Sequence, residues 1–195
     1  MKIAVGFITY NNLTSRYLPF FLPSLFKSLE RAHGEARVWC IDNSDQAINE
    51  NQEFIEANHS WVQYHFSGEN VGFSKAYNQM IAAAIAWGAD YFLMINPDTL
   101  LEPDSIKQML SAINSGRFGS VAPRLLRWDF KNNFPSDVID SDGLAISAAH
   151  RFWDRHQGEK VFRAQQKPIF GATGAAALFR MAALKDIAFL DEFGQ

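Results

Sequence analysis

From Lys2 to Thr9 the chain is almost continuously apolar and then breaks at Asn11-Asn12, which predicts a buried first strand. Apolar positions at helical spacing follow from about Arg16 to Ala32, with Pro19 and Pro23 near the start of that helix. Ala36–Ile41 predicts a second strand running into the polar cluster Asp42-Asn43-Ser44-Asp45, then a helix from about Ala47 to Asn58 and a third strand, Val62–Phe66. The loop Ser67–Gly72 leads into the clearest helix, Phe73–Trp87, with an alanine-rich centre. Tyr91–Ile95 is apolar at every position, as expected of a central strand covered by helices on both faces. Glu102-Pro103-Asp104 has the acidic and proline character of a helix start, and that helix is expected to reach about Asn114. Phe118–Ala122 predicts a further strand. Strands alternating with helices predict an α/β fold with an open, mostly parallel central sheet flanked by helices and joined by right-handed crossovers. Beyond Arg124 the periodicity is lost until Lys167, so irregular strands and loops on one side of the sheet are expected there. Pro168–Arg180 returns to small and apolar residues, and Met181–Ile187 has helical spacing.

Composition narrows the function classes. A length of 195 residues predicts a single domain over 1–195. A net charge of −3 leaves no global basic field to hold nucleic acid or an anionic membrane. The lone cysteine, Cys40, sits in an apolar strand; it excludes an internal disulfide framework and a cysteine-built zinc site, and it reads as an inert core thiol. The apolar start is too short for a signal peptide with its cleavage site, and no run approaches the ~18 apolar residues of a membrane span. The expectation is a cytoplasmic protein, with peripheral attachment at the inner face of the membrane left open.

In open α/β sheets, ligands bind outside the carboxyl ends of the strands. Here every such end is polar: Thr9, Tyr10 and Asn11 after the first strand, Asp42, Asn43 and Ser44 after the second, Asn70 and Gly72 after the third, Asn96, Pro97 and Asp98 after the fourth. A glycine-rich dinucleotide fingerprint, a P-loop, a nucleophile elbow and an H-E-x-x-H helix are all absent from the sequence. What remains is a carboxylate site of the kind that recognises a base or ribose and holds a hard divalent cation against a diphosphate.

Six segments in order carry a resemblance: Ile8-Thr9-Tyr10-Asn11, Cys40-Ile41-Asp42-Asn43-Ser44, Asn70-Val71-Gly72-Phe73, Asn96-Pro97-Asp98, Gly171-Ala172-Thr173-Gly174-Ala175 through Phe179-Arg180, and Phe189-Leu190-Asp191-Glu192. Together they resemble the motifs of family 2 glycosyltransferases, and the Asn-Pro-Asp and Asn-x-Gly-Phe forms resemble its rhamnosyltransferase branch. The resemblance spans Ile3 to Glu192. It implies the GT-A fold, a UDP- or dTDP-sugar donor, inversion at the anomeric carbon, and a glycan or lipid-linked acceptor in polysaccharide biosynthesis. It also implies site roles. Thr9, Tyr10 and Asn11 would line the nucleotide pocket with Asn43, and Asp42 would accept a hydrogen bond from the base. Asn70 and Gly72 would shape the loop near ribose and diphosphate, and Gly174 the acceptor or diphosphate pocket. Asp98, with Asn96 where the stricter family motif has an aspartate, would coordinate Mg²⁺ or Mn²⁺.

The chemistry needs two kinds of carboxylate. A divalent ion neutralises charge on the departing nucleoside diphosphate, and a separate base takes the proton of the acceptor hydroxyl on the opposite face of the sugar. Asp98 fills the first role and Asp191 or Glu192 is the candidate for the second. The family carries a further Glu-Asp pair a short way beyond, and the sequence stops at Gln195. The expectation is therefore a domain truncated at its carboxyl end, with a non-catalytic nucleotide-sugar-binding module as the alternative. Elsewhere, Asp137, Asp140 and Asp142 lack the spacing of a calcium loop and read as a surface turn, and His150 and His156 read as scattered histidines. Phe152 and Trp153 read as core aromatics, with stacking on an acceptor sugar as the other reading.

Overall fold

The computed structural model describes residues 1–116, 118–163 and 167–188. The first half alternates as the pattern predicts: β1 (Lys2–Thr9), α1 (Asn11–Ser15), α2 (Leu18–Ala32), β2 (Glu35–Asp42), α3 (Glu50–Asn58), β3 (Val62–Phe66), α4 (Gly72–Trp87), β4 (Tyr91–Ile95) and α5 (Ser105–Asn114). The second half holds β5 (Ser120–Val121), β6 (Leu125–Asp129), β7 (Phe134–Ser141), β8 (Leu144–Ile146), β9 (Phe152–Asp154), β10 (Ala176–Arg180) and α6 (Met181–Asp186). A six-stranded sheet has the order β3-β2-β1-β4-β10-β5. β3, β2, β1 and β4 are parallel, and β10 runs antiparallel to both β4 and β5. The strand order reverses between β1 and β4, which makes the gap at their carboxyl ends the switch point where such sheets bind ligands.

Alternation along β1 divides the core into two layers. Ile3, Val5 and Phe7 pack with α2, α3 and α5, including Phe21, Leu22, Leu25, Ile55, Ile106 and Ile113. Ala4 faces the other side with Ala76, Tyr77, Met80 and Ala84 of α4, Phe92 of β4 and Met181 of α6. β4 is central and buried, as its uninterrupted apolar run predicts. Gly6 faces α4, and a Cβ built there would lie 2.7 Å from Phe92 Cζ and 3.0 Å from Met80 Sδ. Gly6→Ala is accordingly expected to destabilise the fold by about 1–3 kcal/mol through overpacking, read as a lower midpoint of thermal unfolding.

Several boundaries differ from the sequence pattern. The helix expected from Arg16 starts at Leu18, and a separate short helix, α1, occupies Asn11–Ser15, where the pattern predicts a polar break; the chain turns at Arg16-Tyr17 between them, where the Tyr17 amide donates to Thr14 O at 2.9 Å. Pro19 then falls within the first turn of α2, where a missing N–H costs nothing. α3 starts at Glu50 and not Ala47, since the Asn49 side chain caps it by accepting from the Asn51 and Gln52 amides. The strand expected over Phe118–Ala122 shrinks to Ser120–Val121. β10 was hidden in the small and apolar stretch before Arg180. Phe152 and Trp153 are not core residues: they are 59% and 49% exposed, on a two-stranded sheet of β8 and β9 separate from the six-stranded one. The acidic cluster is a surface feature whose carboxylates each meet a base, Asp142 with Arg124 at 2.6 Å, Asp140 with Arg127 at 3.3 Å and Asp137 with Lys160 at 3.3 Å. No helix among the described residues is long and apolar enough to cross a membrane.

Candidate functional site

The parallel register of β1 on β2 pairs Thr9 with Asp42, the last residues of their strands. β2 on β3 sets Cys40 beside Tyr64 and Asp42 beside Phe66. Three strand ends therefore converge on one carboxylate. Asp42 is fully buried, and its Oδ1 accepts from Thr9 Oγ1 at 2.9 Å, Ser44 Oγ at 2.6 Å and the Ser44 amide at 3.2 Å. Its Oδ2 accepts from Asn49 Nδ2 at 2.7 Å and the Tyr64 hydroxyl at 2.5 Å. Burial, then the neighbouring Asp42 charge, pushes the Tyr64 phenol well above its ordinary value, which keeps it a donor. Burial also pushes the Cys40 thiol up, so this residue, 3.4 Å from Thr9 Oγ1, is no nucleophile.

Above that hub, Asn11 and Asp45 clasp each other at the surface. Asn11 Nδ2 donates to Asp45 Oδ2 at 2.9 Å, and the Asp45 amide donates back to Asn11 Oδ1 at 3.0 Å. The Asn11 amide itself donates to Ser44 Oγ at 2.7 Å, which ties the rim to the hub. Tyr10 is half-buried, its amide donating to Thr14 Oγ1 at 2.9 Å. An open depression of about 570 Å³ lies here, lined by Asn11, Leu13, Asp45, Ile48, Asn49 and Glu50 among others.

The loop after β3 approaches from the other side. Asn43 is buried, donates from Nδ2 to Gly72 O at 3.4 Å, and accepts from Ser67 Oγ at 3.2 Å. Asn70 Oδ1 accepts from the Gly72 amide at 3.0 Å, closing a turn that places Gly72 at a φ of 78°. α4 starts there and is anchored by the Tyr77 hydroxyl donating to Ile95 O at 3.2 Å. At the end of β4 the Asn96 amide donates to Ala175 O at 2.9 Å, which joins the Asn96–Asp98 turn to the segment entering β10. Gly174 is exposed beside Phe73, with room for a Cβ 3.5 Å from the ring. Asp98 is exposed and accepts no hydrogen bond among the described residues.

Thr9, Tyr10, Asn11, Asp42, Asn43, Asn70, Gly72, Asn96, Asp98 and Gly174 thus all lie on the carboxyl edge of the sheet, around the switch point. Asp191 and Glu192 lie outside the described residues. Sequence reasoning missed Tyr64 and Asn49, which complete the hub; Asn49 carried a signal, as an Asn followed by Glu50 and Glu53 at a helix start. Among the described residues no group of three or more His, Cys, Asp or Glu could hold a metal. The Asp98 carboxylate and the Asn96 amide carbonyl are hard oxygen donors, a set that suits Mg²⁺ or Mn²⁺ once phosphate oxygens complete the shell.

The model of the family described as "Glycosyl transferase family 2" matches residues 5–188. No curated protein matches the sequence significantly. Among solved structures, S. aureus TarS 1-349 in complex with UDP-GlcNAc is similar with a TM-score of 0.63 at 17% identity, over 95% of this chain and 47% of that one. The mannosyltransferase PcManGT from Pyrobaculum calidifontis, in complex with GDP-Man and Mn²⁺, is similar with a TM-score of 0.60 at 17% identity, over 96% of this chain and 47% of that one. The chain spans about half the length of these structures. A parallel β3-β2-β1-β4 sheet with the antiparallel β10 beside it, and a family match running from β1 to α6, settle the assignment: the chain has the GT-A fold and belongs to glycosyl transferase family 2.

Proposed function

We propose that this chain binds a nucleoside-diphosphate sugar at the carboxyl edge of its sheet and transfers the sugar, with inversion, to a hydroxyl of a glycan or lipid-linked acceptor in polysaccharide biosynthesis. The observation that carries the reading is the convergence of the ends of β1, β2, β3 and β4 on one polar edge, in a chain matched over 5–188 by the family. The Asn-Pro-Asp and Asn-x-Gly-Phe segments favour a rhamnosyltransferase-type enzyme with a dTDP- or UDP-linked donor. Solved relatives in complex with UDP-GlcNAc and with GDP-Man and Mn²⁺ support the donor class and the divalent cation.

Each residue has a task in this reading. The buried Asp42 hub holds the β1 and β2 ends in register, so that Thr9, Tyr10 and Asn11 keep their places beside Asn43. The amino end of α4, directly after Gly72, offers backbone N–H groups to the diphosphate. Asp98, with Asn96, would hold the cation. When bound, the cation offsets the negative charge that builds on the leaving group. Asp191 or Glu192 receives the proton from the acceptor hydroxyl.

Calorimetric titration of the chain with UDP, dTDP and GDP, with and without Mn²⁺, tests the donor site. Binding of at least one nucleotide that strengthens with Mn²⁺ is expected. A protein shown by circular dichroism to be folded, yet binding none of them under either condition, overturns the reading.

A further inference from the structure

The net charge of −3 is unevenly divided along the chain. Residues 1–117 carry 8 lysines and arginines against 12 aspartates and glutamates, a balance of −4, while 118–188 carry 10 against 7, a balance of +3. Such a separation orients the whole molecule in front of a charged surface, although its net charge is small. The basic excess lies between Gly143 and Ala175, with Arg151, Arg155, Lys160, Arg163 and Lys167 against Asp154 and Glu159. Both acids are engaged locally: Asp154 accepts from Ser141 Oγ at 2.6 Å, and Glu159 meets His156 at 3.1 Å. Lys160 pairs with Asp137, whereas Arg151, Arg155, Arg163 and Lys167 make no ion pair among the described residues.

The same segment presents large apolar side chains to solvent. The Leu144 amide donates to Gly171 O at 2.8 Å and the Phe170 amide to Leu144 O at 3.2 Å, so Phe170–Gly171 runs along β8 on the side away from β9. Phe152 and Phe170 meet with ring centroids 5.6 Å apart, yet Phe170 is 61% exposed and Phe152 nearly as much. Strand alternation sends Phe152 and Trp153 to opposite faces of β9, and both are open. Beyond β9 the His156 ring lies 4.9 Å from that of Phe162, which stays exposed between Val161 and Arg163. A folded protein partner would cover one face of this small sheet and leave the other aromatic in water. A fluid headgroup layer takes both.

We propose that the basic half of the chain docks on an anionic lipid surface, with Phe152, Trp153 and Phe170 entering the headgroup layer and Arg151, Arg163 and Lys167 meeting the lipid phosphates. Aromatic rings favour the membrane–water interface, and bases beside them add electrostatic attraction to an anionic leaflet. The acidic strand–helix half turns away from the lipid. Phe170 lies five residues before Ala175, whose carbonyl accepts the Asn96 amide, so the docked face is within ~18 Å of the carboxyl end of β4. Docking needs no nucleotide, so it stands or falls separately from the donor reading.

The test is co-sedimentation of the chain with vesicles of equimolar phosphatidylglycerol and phosphatidylcholine, and with vesicles of phosphatidylcholine alone. Each base at an anionic leaflet strengthens binding roughly fivefold, so wild type is expected to bind the anionic vesicles about 100-fold or more tightly than the neutral ones, and less tightly as salt rises. Reversing two charges together, Arg151→Glu with Lys167→Glu, should weaken binding about 25-fold or more. Replacing both rings, Phe152→Ser with Phe170→Ser, should weaken it about tenfold or more. All four positions are exposed, so the unfolding midpoint should not move. Phe20→Ser, at an exposed ring of α2, should bind as wild type does. Absence of vesicle binding by folded wild type, or equal binding to both vesicles, overturns the proposal. So does affinity that falls with the charge variant and is unchanged in the ring variant, which marks a site for a soluble polyanion, or a loss in Phe20→Ser as large as in the ring variant, which places the contact on α2.

Discussion

Asp42→Ala is expected to destabilise the chain by about 3–5 kcal/mol, since it strips the acceptor from five buried or half-buried donors in one step. For a domain of this size that corresponds to a thermal midpoint lower by about 10 °C. Some donors have a second option, as Thr9 Oγ1 has in Cys40 Sγ at 3.4 Å, which keeps the loss below the sum of all five. Asp42→Asn tests the cause. The amide matches the carboxylate in volume but puts an NH₂ where an oxygen stood, facing either Thr9 and Ser44 or Asn49 and Tyr64. Tyr64 can turn its hydroxyl round and accept, so this variant should cost about 1–3 kcal/mol, less than alanine. Tyr64→Phe removes one donor and leaves the carboxylate with the rest, and should cost less again. Thermal and urea unfolding of the three variants check the order. An Asp42→Ala midpoint equal to wild type would show that the hub does not hold the strand ends.

The hub also shows what could be read from the sequence and what could not. Strand ends were legible because β1, β4 and the second half of β2 are buried, so their apolar runs stop abruptly at Thr9, Ile95 and Asp42 and the polar residues beyond stand out. Tyr64 was not legible as a partner of Asp42. It lies inside β3, and only the β2–β3 register, with Cys40 opposite Tyr64, brings its hydroxyl to the end of β2. β10 stayed hidden for a related reason: Ala176–Phe179 is a short apolar run that suits a strand or a helix equally, and β4 and β5, 50 or more residues earlier in the chain, decide it. β6–β7 and β8–β9 are two-stranded sheets separate from the main one, in which only Ile139 and Ser141 are buried and aromatic residues such as Phe130 and Phe152 remain 78% and 59% exposed, so the stretch carries little alternation to read. The acidic cluster, ambiguous as a string of Asp residues, resolves through Arg124, Arg127 and Lys160, bases that only the hairpin geometry brings alongside.

Asp98→Ala should have the opposite profile to Asp42→Ala: little change in stability and a large loss of ligand binding. Asp98 is exposed in the turn after β4 and accepts no hydrogen bond among the described residues, so its removal should move stability by no more than about 0.5 kcal/mol. The turn itself is held by backbone, through the Asn96 amide on Ala175 O and the Thr99 amide on Asn96 O, and keeps its shape without the carboxylate. No cluster of three or more His, Cys, Asp or Glu exists among the described residues, so in the proposed reading a cation at Asp98 would need oxygen ligands from the nucleotide as well. Mn²⁺ alone should therefore bind weakly to wild type, and nucleotide alone weakly too, with the two together binding tightly. Asp98→Ala should weaken the Mn²⁺-dependent part of nucleotide binding on the order of 100-fold and leave the metal-free part as it was. Asp98→Asn keeps an oxygen ligand while losing the charge, and should fall between wild type and alanine. The calorimetric series with UDP and dTDP decides the matter: if Mn²⁺ strengthens nucleotide binding equally in wild type and Asp98→Ala, the cation is held elsewhere on the sheet edge and Asp98 is only a turn residue.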